Sequence, residues 1–272
     1  MERSDDGGAM LLAEPLCADP QPHRRIGTAP TGSLHSWDIV TGTDGPGTRF
    51  VAFLAGCPLR CLYCHNPDTQ SRRAGRKITV EELLGRVEGF HRFLEASGGG
   101  VTVSGGEPLV QARFVEAFLG ECKAAGLHTA LDTSGYLGAR AGDALLDATD
   151  LVLLDIKSSD PATYRRVTGR SLSPTVDFAR RLARHAVRTW VRFVLVPGLT
   201  DDPANVAGVA DIVAGLGNVE RVEVLGYHRL GVTKYAELGL RYPLDGVEPP
   251  TAAQLAAAAA PFAERGLTVL TV

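Results

Sequence analysis

Cysteines, aromatic residues and long apolar runs are all scarce in this 272-residue chain, and each scarcity removes a class of protein. Five cysteines, an odd number in a mid-sized chain, argue against a disulfide framework. Aromatic residues are only 6%, yet apolar residues reach 44%, enough for a sizeable core of aliphatic type. No apolar run is long enough to cross a bilayer, and the alanines at 256–260 end at Pro261. The first thirty residues lack a basic start followed by an apolar core, so no signal peptide is expected and the cytoplasm is the expected location. Net charge is −3 and no long Lys/Arg stripe occurs, so a nucleic-acid partner is not expected.

Regular patterning is present elsewhere. Residues 1–34, rich in Gly, Ala, Pro and Asp, read as a mobile extension, and residues 35–272 as one core domain. Short apolar runs at Arg49–Leu54, Gly100–Val103, His128–Leu131, Leu151–Asp155, Arg188–Val196, Val219–Leu225 and Leu267–Val272 predict strands. Helices are predicted between them. One opens at Thr79-Val80-Glu81-Glu82, a capping box, with Leu83, Val87, Phe90 and Leu94 on its buried face. Others cover about 112–125, 139–148, 173–184, 202–216 and 251–265. Such alternation implies an α/β fold with a parallel sheet, either open or a full or partial barrel.

In both architectures the chemistry gathers at the C-terminal strand ends. Four polar groups fall there: Ser104-Gly105-Gly106-Glu107, Asp132-Thr133-Ser134-Gly135, Asp155-Ile156-Lys157 and Tyr227-His228. They predict one shared pocket. Asp155 and Lys157, two apart on an extended end, point the same way. Arg192 alternates with Trp190 and Val194 on an inward strand face, where a charge needs a partner.

Three of the five cysteines lie within eight residues, in Gly56-Cys57-Pro58-Leu59-Arg60-Cys61-Leu62-Tyr63-Cys64-His65. Gly56 and Pro58 make this a loop. Structural zinc needs four closed ligands, and His65, adjacent to Cys64, is a poor fourth. Three thiolates would instead leave one iron of a [4Fe–4S] cluster open to a small molecule. Spacing alone leaves both possibilities standing, together with plain core cysteines. Cys122 is expected in a helix core, and Cys17 in the extension.

The spacing C-x3-C-x2-C, with Tyr63 before the last cysteine, resembles the signature of the radical S-adenosylmethionine (radical SAM) superfamily. The segments Thr43–Gly47, Cys61–Asn66, Ala96–Thr102, Leu131–Gly135 and Leu244–Val247 are similar to its glycyl-radical-enzyme activating family, the pyruvate formate-lyase activators. The likeness spans about residues 35–272. It implies a partial (β/α)6 barrel, a [4Fe–4S] cluster on Cys57, Cys61 and Cys64, and S-adenosylmethionine on the open iron. By the same resemblance Tyr63, Cys64, His65, Gly106, Asp155, Ile156, Lys157, Arg192 and His228 meet that cofactor. Asp132, Thr133 and Asp155 would hold Na+ or K+, and Asp44 and Gly45 would receive a glycine loop of the partner.

The implied partners are a glycyl-radical enzyme, formate acetyltransferase above others, and flavodoxin or ferredoxin as electron donor. No cysteine occurs in residues 66–103, where activators of other partners often carry extra ones. A monomer is expected. Ser134 stands where Asn is expected, and Pro108-Leu109 follows the Gly-Gly-Glu turn. The rivals are a small-molecule radical SAM enzyme and, from another class, a non-enzymatic iron–sulfur electron carrier.

Overall fold

The computed structural model describes residues 30–272. Cys17 and most of the expected extension lie outside them. The strands are β1 (Thr31–Thr41), β2 (Thr48–Leu54), β3 (Arg76–Thr79), β4 (Gly100–Gly105), β5 (His128–Thr133), β6 (Leu151–Asp155), β7 (Thr189–Leu195), β8 (Val219–Gly226) and β9 (Val269–Thr271). They form one open sheet in the order β3-β1-β2-β4-β5-β6-β7-β8-β9. From β2 through β9, leaving out β3, neighbouring strands pair parallel. The open, mostly parallel sheet agrees with the partial barrel that the family resemblance implies, where alternation alone leaves the architecture undecided.

Two strands were not foreseen. β1 and β3 add an antiparallel edge before β2. β1 starts at Thr31, inside the expected extension, and Leu34 is fully buried. The Asp44 turn accordingly joins β1 to β2 rather than preceding the first strand.

The helices are α1 (Val80–Glu88), α2 (His91–Ala96), α3 (Ala112–Ala124), α4 (Asp143–Asp147), α5 (Pro161–Thr168), α6 (Ser173–Arg184), α7 (Pro203–Ala214), α8 (Val232–Glu237) and α9 (Ala252–Ala263). Thr79 and Glu82 close the capping box reciprocally at 3.1 and 2.8 Å. The single helix expected beyond it is broken at Gly89-Phe90 into α1 and α2. The expected helix at 139–148 is a short 3-10 turn followed by the shorter α4. α5 carries Asp160 as cap, accepting from the Thr163 N–H at 2.6 Å, and ends on left-handed Gly169.

The helices bury the outer face of the sheet. Val101, Val103, Leu131, Val152, Leu154, Val191, Phe193, Val222 and Val224 belong to that core, as does Cys122 of α3. The alternate strand residues face the bore. Ala130, Leu151, Leu153 and Trp190 make its apolar part. Thr102, Asp132, Asp155 and Arg192 sit on the same inward face by the two-residue period. Among the described residues no helix is long and apolar enough to cross a membrane.

Candidate active site

The cysteine loop is held by backbone bonds to three other segments. Gly56 and Cys57 donate to the Thr69 and Gln70 carbonyls at 2.7 and 3.0 Å. Arg60 and Leu62 donate to the carbonyls of Thr168 and Val167, at the end of α5, at 2.8 and 3.0 Å. Glu107 N–H donates to the Gly56 carbonyl at 2.9 Å. Gly106 must lack a side chain, because a Cβ would stand 2.5 Å from the Gly56 carbonyl. Its N–H is given to Leu54 at 2.8 Å, so only its carbonyl could meet a ligand.

Cys57, Cys61 and Cys64 are half-buried and free. Burial pushes the Cys57 thiol up to about 12 and that of Cys61 to about 11; Lys157 pulls the latter down. Buried thiols with raised pKa values are the environment that a bound cationic metal core reverses. Among the described residues no group of three His, Cys, Asp or Glu side chains is placed to hold a single ion.

Lys157 Nζ lies 2.8 Å from Asp155 Oδ2 and 5.6 Å over the Tyr63 ring. Burial opposes its charge, but Asp155, Tyr63 and Cys61 outweigh burial and hold its pKa well above the usual lysine value. Tyr63 Oη is buried with no partner among the described residues. An unpaired buried hydroxyl costs about 1–3 kcal/mol, which a bound polar ligand would relieve. His65 and His228 meet edge-to-face, 4.8 Å between ring centroids, at the exposed mouth. Ile156 was expected beside the cofactor, but its side chain is buried in the core and its N–H is given to the Arg192 carbonyl at 3.1 Å. It could therefore meet a ligand only through its carbonyl.

Arg192 joins more groups than the sequence suggests. Its guanidinium lies 3.4 Å from Asp44, 3.4 Å from Asp132 and 3.1 Å from Glu223, and donates to the Thr43 carbonyl. Burial pushes the Asp132 pKa above the usual carboxylate range against the pull of Arg192, with Asp155 and Asp44 adding to the rise. Ser104 donates to Asp132 at 2.6 Å. Arg192 and Lys157 thus offset the repulsion between the Asp132 and Asp155 carboxylates. The Thr133 hydroxyl is spent on Glu107 at 2.6 Å and does not turn to Asp132.

Glu107 ties the strand ends together. It accepts from Leu109, Thr133 and Ser134 at 3.1, 2.6 and 3.0 Å, and from the Ser134 hydroxyl at 2.5 Å. Burial still holds its pKa above the usual value.

The Asp44 turn enters the bore from the opposite end. Arg49 Nε donates to the Thr102 hydroxyl at 3.0 Å, and that hydroxyl donates to the Asp44 carbonyl at 2.6 Å. Gly45 has φ 123°, and a Cβ there would press on Arg49 at 3.2 Å. Thr102, Arg49 and Glu223 are site residues that sequence reasoning missed, whereas Ser104 lay in one of the expected strand-end groups. Inward alternation on β2, β4 and β8 was the available signal.

An open parallel barrel with a three-thiol loop over its strand ends defines a class, and the radical SAM superfamily model matches residues 51–207. A pyruvate formate-lyase 1-activating enzyme of Escherichia coli K12 is 44% identical over 221 residues, covering 80% of this chain and 90% of that protein. A pyruvate formate-lyase-activating enzyme of Staphylococcus epidermidis is 45% identical over 226 residues, with 80% and 90% covered. A domain of such an enzyme from Bacteroides vulgatus superposes with a TM-score of 0.54 at 24% identity, covering 64% of this chain and 99% of that one. A radical SAM methyltransferase from Sphaerobacter thermophilus gives 0.58 at 15% identity, with 90% and 77% covered. The chain belongs to the radical SAM superfamily, and within it to the pyruvate formate-lyase-activating enzymes. Membership implies a [4Fe–4S] cluster and S-adenosylmethionine, and the free thiols, the orphaned Tyr63 hydroxyl and the Lys157 ammonium fit that pair.

Proposed function

We propose that this chain activates pyruvate formate-lyase by making a glycyl radical on it. When bound, the cluster and S-adenosylmethionine supply a 5′-deoxyadenosyl radical, which takes a hydrogen atom from one partner glycine. Cys57, Cys61 and Cys64 would hold the cluster. Lys157 offers an ammonium to the cofactor carboxylate, the Gly106 carbonyl an acceptor to its amino group, and the His65–His228 pair an aromatic edge to its base. Tyr63 and the Ile156 carbonyl line the same approach. Arg192 balances Asp132 and Asp44; a Na+ or K+ ion would meet Asp132 and Asp155, and Thr133 only through its carbonyl, because its hydroxyl is spent on Glu107.

The carrying observation is that a single guanidinium, Arg192, spans Asp44 of the β1–β2 turn and Asp132 at a strand end. The turn that would receive a peptide glycine therefore lies beside the pocket that would hold the radical source. A primary radical attacks most C–H bonds it meets, so the bore must exclude water until the glycine arrives. Flavodoxin or ferredoxin supplies the electron, the protein acts as a monomer, and the setting is the cytoplasm.

The test compares Cys61→Ala and Asp44→Asn after anaerobic reconstitution. Cys61→Ala loses the cluster absorbance and all 5′-deoxyadenosine release. Asp44→Asn keeps deoxyadenosine release but lowers the radical yield on the partner at least about tenfold, the equivalent of ~1.4 kcal/mol. An Asp44→Asn protein that activates the partner as well as the native chain would remove the role of the turn.

A further inference from the structure

The outward side of the cysteine loop carries a collar of positive charge that the proposed chemistry leaves unused. The Arg60 guanidinium donates to the Cys57 and Leu59 carbonyls at 2.8 and 2.7 Å. Arg170 Nε donates to the Pro58 carbonyl at 2.8 Å. Arg72 lies so close over Gly56 that a Cβ there would meet its Cγ at 2.5 Å. Arg73 follows it. Arg165 and Arg166 occupy the last turn of α5, whose Val167 and Thr168 carbonyls receive the loop.

All six arginines are exposed. Among the described residues none of them forms an ion pair. Between Gly56 and Val80 there are five basic residues and one acid, Asp68, which already faces Lys234 at 3.3 Å. Between Pro161 and Val176 there are three basic residues and no acid. The chain as a whole is acidic, with a net charge of −3. The two stretches that frame the loop are therefore net positive within an acidic chain.

We propose that this collar is the docking surface for an acidic one-electron carrier protein of the flavodoxin or ferredoxin class. The inference rests on the reading of the loop as a cluster site. Charge complementarity of this kind speeds encounter and orients the partner. Electron-transfer encounters use small interfaces, below about 1,200 Å², which a patch of arginines without apolar anchors suits. One electron would leave the carrier, oxidising it by one, and would reduce by one the cluster that Cys57, Cys61 and Cys64 would hold; no bond or proton moves. The other end of the loop packs against a different segment, near the His65–His228 mouth: a Cβ on Gly231 would meet the Cys64 carbonyl at 3.0 Å. A carrier on the collar leaves that mouth free for the partner's glycine.

The test uses the full chain and the variant Arg73→Glu/Arg165→Glu/Arg166→Glu, which spares the loop-holding Arg60 and Arg170. Bleaching of the reconstituted cluster is timed with reduced flavodoxin at about 50 and about 300 mM salt, and separately with dithionite. Flavodoxin affinity for the cluster-free proteins is measured by titration calorimetry. The native rate falls about tenfold or more with salt, and charge reversal lowers the low-salt rate and the affinity by at least about tenfold. Dithionite bleaching and dithionite-driven deoxyadenosine release stay the same in both proteins.

Equal flavodoxin rates and affinities in the two proteins overturn the proposal. So does a loss shared with dithionite, which would place the charges in holding the cluster. A variant reduced normally but poor at activating the glycyl-radical enzyme assigns the collar to that enzyme and also overturns it. Absence of deoxyadenosine from the native protein under dithionite contradicts the proposed function instead, and the calorimetric affinity separates that failure from a failure of the collar.

Discussion

At the scale of single residues, Thr102 shows how one hydroxyl can place a loop. It accepts from Arg49 and donates to Asp44, so both its roles are fixed. Thr102→Val keeps the shape but strands both partners, at a cost of about 1–3 kcal/mol, read by denaturant unfolding. Thr102→Ser restores most of that loss; a Val variant as stable as native would contradict the assignment. His128 gives a pH prediction. Burial, then Arg49, lower its pKa from 6.5 to about 4 in the folded chain. Protons therefore bind the unfolded chain better, and stability present above pH 6.5 is lost as pH falls towards 4. His128→Asn, which can still accept from Arg49, flattens that part of the profile. The residues legible in the sequence were those whose partners are close in the chain, such as Asp155 with Lys157. Arg192 was recognised as needing a partner, but Asp44, Asp132 and Glu223 come from three distant segments, and only the register and curvature of the open sheet bring them together.

At the scale of elements, the parallel strands and most helices follow from apolar runs and caps. The antiparallel edge does not. β1 carries a register irregularity between Leu34 and Ser36, which breaks the two-residue alternation that would have revealed it. β3 has only four residues. Leu34, fully buried, should cost about 2–5 kcal/mol on replacement by alanine, and an exposed-residue cost near zero would argue against this edge. The break between α1 and α2 left the helical period intact. Leu83, Val87 and Leu94 stay buried, while Phe90 packs against Trp37 and Phe50 at 5.7 and 6.2 Å between centroids. Thr79→Ala removes the cap of α1 and should cost about 1 kcal/mol by chemical unfolding, with an unchanged slope against denaturant.

At the scale of the whole molecule, the open barrel lets three inputs reach one pocket from different sides. The cysteine loop lies over the strand ends, the Asp44 turn enters from the opposite end, and the arginine collar faces outwards. The central claim is that these serve one reaction on a protein glycine. The most direct measurement is electron paramagnetic resonance of the reconstituted, reduced protein with S-adenosylmethionine and pyruvate formate-lyase. The account predicts a glycyl radical signal on the partner that grows with 5′-deoxyadenosine release. Deoxyadenosine released from a fully loaded protein with no radical on the partner would contradict it.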